Sequence, residues 1–172
     1  AVRNSGGNVI KIVRESAGSG FGVVAAYWDG RDDTGSVIEG IYDFVVTLSD
    51  TAGNMDEAGL GGIVVDITPP AVEITAPLEG GVFENIVEIH GIIGDPNFKS
   101  YKVGCSKNYA PLTGEDGRPL SGNISSIVLS ETNIPADNLL GTWHTVMSSV
   151  GKYYIVVMAE DKAGNFALKT VP

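Results

Sequence analysis

The sequence predicts an all-β protein built as two tandem antiparallel β-sandwiches. A repeated segment and the alternation of apolar and polar residues within its strands carry that prediction. Residues 40–54 read GIYDFVVTLSDTAGN, and residues 151–165 read GKYYIVVMAEDKAGN. Both fit Gly-x-Tyr-x-x-x-Val-x-x-x-Asp-x-Ala-Gly-Asn without insertion, and a tryptophan precedes each copy, Trp28 and Trp143. Recurrence at the spacing of a small domain implies two copies of one unit.

Each element follows from local chemistry. In Tyr42, Phe44, Val46 and Leu48 large apolar groups alternate with Asp43, Val45 and Thr47, the period of a half-buried strand. The second copy turns Tyr153, Ile155, Val157 and Ala159 inward and leaves Tyr154, Val156 and Met158 on the other face. That face is far more apolar than its counterpart. It either packs against something or belongs to a strand at the centre of a two-sided core. Asp50 and Asp161 are placed to accept backbone N–H groups two residues on, and Gly53 and Gly164 supply a positive φ. Each copy therefore ends in a hairpin turn to a final strand, Ile63–Val65 or Ala167–Val171. The glycine-rich residues 55–62 imply a delayed or bulged return in the first copy.

Further strands are expected at Val9–Val13, Gly22–Trp28, Val72–Thr75, Val87–Gly91, Lys99–Val103 and Ser126–Leu129. Helix is expected at most as one turn, Asn138–Leu140. Residues 106–123, rich in Gly, Pro, Asn and Ser, read as a long exposed loop. Pro69-Pro70 blocks entry into a ladder and marks a semi-rigid joint. The domains are read as 1–67, which could lack an N-terminal strand, and 68–172.

Composition narrows the function. The net charge is −10, with 4 basic and 10 acidic residues in 1–66 and 7 and 11 in 67–172. Acidity in both halves argues against nucleic acid and anionic membranes as partners. No apolar run reaches membrane-spanning length. The single Cys105 excludes an intrachain disulfide and a Cys-based zinc site, and reads as a small buried hydrophobe. The first and last residues suggest a piece excised from a longer protein.

Chemistry-bearing residues are sparse. Asp29, Asp32 and Asp33 offer oxygens for calcium, although an ordinary Asp-Gly turn explains the same residues. Trp28 and Trp143 are either core tryptophans or sugar-stacking platforms. His90 alternates outward from its strand, His144 is read in a loop, and their separation makes a poor metal pair. No nucleophile elbow or phosphate loop is present, so enzyme chemistry has no support. Tyr154, Val156 and Met158, with the 106–123 loop, are the candidate contact face. The idea fails if those side chains are buried within their own domain.

Trp28-Asp29-Gly30-Arg31-Asp32, Gly35, Val37 and Gly40-Ile41-Tyr42 resemble the Ig-like domain of bacterial flagellar hook-capping proteins. Ile74-Thr75-Ala76-Pro77 with Gly80-Gly81, Gly91, Asp95, Phe98, Tyr101 and Leu140-Gly141-Thr142-Trp143 are similar to Ig-like repeats of large bacterial surface and secreted proteins. Those repeats usually have Asp where His144 stands. The resemblance implies Ig-like or fibronectin-type-III-like sandwiches without catalytic residues. It points to a spacer or protein-interaction pair in an extracellular or cell-surface protein, whose partners are other domains of the same chain or another surface protein. Carbohydrate binding, calcium-stabilised adhesion and a hook-cap fragment stand as alternatives, with calcium the only cofactor considered.

Overall fold

The computed structural model describes residues 1–13 and 25–172. These residues form three antiparallel sheets and divide into two compact units, Ala1–Ile67 and Thr68–Pro172. The fold class is all-β, as the alternation predicts.

In the first unit, β1 (Val2–Asn4), β2 (Val9–Lys11), β3 (Gly40–Ser49) and β4 (Met55–Val65) make one sheet in the order β2-β1-β3-β4. β3 carries the first copy of the repeat. The sequence gives no sign of β1, because three residues are too few to display a period. Val2 nevertheless pairs with Phe44 and is fully buried. β4 corrects the expectation of a delayed return strand, since it begins at Met55, immediately after the turn. The expected bulge is real: Phe44 pairs with Leu60 and Tyr42 with Ile63, so Gly61 and Gly62 both oppose Asp43. Gly62 adopts a φ of 77°, and its N–H donates to Asp43 Oδ1 at 3.1 Å. Glycine accepts this conformation without a Cβ clash.

The strand expected at residues 22–28 falls partly outside the described residues. Ala25–Trp28, which is described, is irregular rather than extended in a ladder.

The second unit is a two-layer sandwich. One sheet has the order β5-β6-β9, from β5 (Ala71–Ala76), β6 (Ile86–Gly94) and β9 (Leu139–His144). The other has the order β11-β10-β7-β8, from β7 (Phe98–Lys107), β8 (Ser126–Glu131), β10 (Tyr153–Asp161) and β11 (Phe166–Val171). Between them lie Ile89, Ile93 and Leu140 from the first sheet and Tyr101, Val103, Cys105, Ile155, Val157 and Ala159 from the second. Burying two facing apolar surfaces is what holds a sandwich together. The Tyr101 hydroxyl also crosses the core, donating to the Leu140 carbonyl at 3.0 Å.

Two expectations change here. Asn138–Leu140 is no helical turn: Asn138 takes a φ of 60°, and Leu139 opens β9. Apolar spacing over three residues cannot separate a turn from a strand start. His144 closes that strand instead of lying in a loop. The one short 3-10 turn among the described residues follows it, at Thr145–Met147.

Candidate functional site

The repeated residues build the same local frame twice. Trp28 meets the Tyr42 ring edge-on, with centroids 5.0 Å apart and planes at 69°. Trp143 meets Tyr153 at 5.0 Å and 64°. This edge-to-face arrangement suits the aromatic quadrupole. Trp143 packs on the second unit's core, while half-buried Trp28 also touches Phe44 and donates its Nε1–H to the Arg31 carbonyl. Both engagements agree with the core reading of the tryptophans.

The turns match as closely. Asp50 Oδ1 accepts the N–H groups of Ala52 and Asn54, each at 2.9 Å, and Oδ2 accepts Asn54 Nδ2 at 2.6 Å. Asp161 takes Asn165 N–H at 2.9 Å and Asn165 Nδ2 at 2.7 Å in the same way. Gly53 and Gly164 have φ values of 88° and 94°. Hydrogen bonds from Asn54 hold the Asp50 carboxyl below the ordinary aspartate value. Asp50 is exposed, whereas Asp161 is fully buried, with an Asp95 carboxylate oxygen within 4.8 Å of its own.

The copies diverge along β3 and β10. Val46 and Leu48 are 50% and 60% exposed, while their counterparts Val157 and Ala159 are 0% and 1% exposed. On the opposite face of β10, Val156 and Met158 are buried and Tyr154 is half-buried. This corrects the expectation that Tyr154, Val156 and Met158 form a ready contact face. The alternative, a strand with cover on both faces, is what the structure has.

The cover comes from the segment between β7 and β8, which is mostly an exposed loop over 108–122, as expected, but touches the sheet at a few buried points. Ser106 is a buried strand residue, and Pro111 is buried beyond it. Gly104 pairs with Val156, and a Cβ at Gly104 would meet Ile124 Cγ2 at 2.9 Å and Ile127 Cδ1 at 3.3 Å. Ile124 therefore sits over the sheet beside Val156, in space that the absent Cβ leaves. Farther along, Arg118 stacks on the Phe166 ring at 4.6 Å. Its Nη1 donates to Glu160 Oε2 and its Nη2 to the Gly164 carbonyl, each at 3.1 Å. Lys99 Nζ reaches the other Glu160 oxygen at 2.7 Å. Bonds from Lys99 and Arg118 hold the Glu160 carboxyl below its ordinary value. Sequence spacing gave no hint of Arg118, because its partners are more than forty residues away.

The acidic trio is engaged locally. Asp29 Oδ1 accepts Arg31 N–H, Asp33 pairs with Lys11 at 3.3 Å, and Asp32 Oδ1 accepts Thr34 N–H, Thr34 Oγ1–H and Ser36 N–H. Those bonds hold the Asp32 carboxyl below its ordinary value, with the Thr34 hydroxyl the largest cause. Asp29, Asp32 and Asp33 thus serve turns and an ion pair in this loop. Burial pushes the Cys105 thiol up, away from a reactive thiolate. Half-buried His90 lies 3.3 Å from Glu88 Oε2, and His144 is exposed. In the first unit, Lys11, Ile12, Val13, Tyr27, Trp28 and Asp29 line a cavity of about 490 Å³, into whose rim Tyr27 projects 83% exposed.

No protein-family model matches the chain, and no curated protein matches it. Among the described residues, no helix is long and apolar enough to cross a membrane.

Proposed function

We propose that this chain is a non-catalytic module pair of a larger exported or cell-surface bacterial protein, acting as a spacer or a protein-contact element. One observation carries the reading: the residues that recur in both copies serve the fold. The tryptophan and tyrosine form matched ring pairs, and the aspartate, glycine and asparagine form matched turns. A repeat retained for these purposes supports architecture as the common task of the two copies.

Stretching single molecules held at both termini tests this reading. The second unit is expected to give one cooperative force peak. Its extension should lengthen the chain by roughly 350 Å, taking ~3.3–3.6 Å for each residue of Thr68–Pro172. Extension of that unit without a force peak contradicts a load-bearing spacer.

A second reading has its own observation. The cavity beside Tyr27 and Trp28 falls in the ~300–1,000 Å³ range of ligand sites. An aromatic rim with Lys11 and Asp29 nearby suits a carbohydrate. Binding on a glycan array that is lost in Tyr27→Ala would favour this reading; an array with no signal removes it.

A further inference from the structure

We propose that residues 108–125 form a latched strap, which swings off the outer face of β10 as a unit while the sandwich beneath stays folded. This inference rests on the second unit's geometry and stands whichever functional reading holds.

The strap carries its own small ladder. Leu120 N–H donates to Leu112 O at 2.8 Å, Gly114 N–H to Arg118 O at 2.9 Å, and Thr113 bridges Pro119. These bonds travel with the segment, so moving it does not unpair the sheet. Its roots are tied by Asn108 N–H to Lys152 O and by Ser125 N–H to Cys105 O. Between the roots, among the described residues, Arg118 makes the hydrogen bonds to the sheet, through Glu160 and Gly164. A single guanidinium fork therefore fastens most of the segment.

Packing is concentrated toward the roots, at Pro111 and Ile124. Leu112 and Leu120 face solvent, and a cavity of about 270 Å³ remains between the strap and the sheet. It is bounded by Arg118 and Pro119 above and by Met158 and Phe166 below, among others. Its volume is below the usual range for a small-molecule site, so it reads as incomplete closure. The ends supply pivots: Asn108 has a φ of 69° and Gly122 a φ of 79°. Elements with few apolar contacts and many solvent-facing bonds open locally, below the cost of global unfolding. Opening here uncovers Val156 and Met158. The apolar face that the sequence offers for contact is thereby gated.

Native-state hydrogen exchange on the full chain, read against urea, tests the device without any substitution. Strap amides, such as those of Leu120 and Gly114, should exchange with almost no dependence on urea, while β10 amides follow the slope of global unfolding. In Arg118→Ala, strap exchange should rise about tenfold or more, the effect of losing charge-assisted bonds, with β7 and β10 unchanged. Three results overturn the proposal: a shared urea slope, acceleration of strap and sheet together in Arg118→Ala, or no acceleration of the strap.

Discussion

β3 and β10 are the same strand written twice, yet their surroundings differ. Both carry a tyrosine edge-to-face with a tryptophan near their start and lead into an aspartate-anchored turn. Between those points β3 loses its cover, so that Val46 and Leu48 face water. β10 has a second sheet on one face and the strap on the other. An aromatic pair and a turn can therefore specify a strand without specifying what packs on it. Cover is decided by other segments, and there the two units differ.

The largest expected effect on this comparison comes from truncating matched valines. Val157→Ala should destabilise the second unit by about 2–4 kcal/mol, because it removes buried methyls and leaves a cavity. Val46→Ala should change the first unit by less than about 1 kcal/mol, since the site is half in water. Urea unfolding followed by tryptophan fluorescence in the single-tryptophan backgrounds Trp28→Phe and Trp143→Phe reads the two units separately. Equal losses would erase the contrast.

The turns give the next effect. Asp161→Ala removes a fully buried acceptor of two Asn165 hydrogen bonds and should cost about 1–3 kcal/mol. Asp50→Ala, in the exposed turn, should cost less in the same assay. A larger loss for Asp50 would mean that burial does not separate the copies.

Smaller still is the effect of Ser106→Ala. The Ser106 hydroxyl is buried on the strap side of β7 and has no hydrogen-bond partner among the described residues. Removing it should leave stability unchanged or raise it by roughly 1 kcal/mol, as melting temperature will show. A clear loss would indicate that the hydroxyl has a partner in solution.

Acid supplies the mildest perturbation. The folded carboxyls of Glu160 and Asp50 titrate below their ordinary values, so each contributes stability above the unfolded-state pKa and loses it as pH falls through the folded one. Strap protection should weaken below the usual carboxylate range, and Glu160→Gln should abolish that pH dependence. Retention of the dependence in Glu160→Gln would remove Glu160 from the latch.

The frame was legible because its causes are local. Asp-x-Ala-Gly-Asn closes a turn within five residues, and a period of two locates β3 and β10, although burial on β3 does not follow it: Val45, read as outward, is buried, and Val46 and Leu48, read as inward, are exposed. What escaped was set by distant partners. β1 is defined by its pairing with β3, and the Gly-rich start of β4 is held in its ladder by β3. The strap's composition resembles a free loop, because its attachment depends on Arg118 finding Glu160 and Gly164. The strong apolarity of Tyr154, Val156 and Met158 was a true signal that this face needed cover. Sequence could not distinguish a partner from the chain's own strap.

Hydrogen exchange of the two repeat segments in one sample tests the central contrast most directly. Residues 151–165 should hold their strand amides far longer than residues 40–54, because β10 is covered on both faces and β3 is partly bare. Equal protection of the two segments, or slower exchange in the first, would contradict the account.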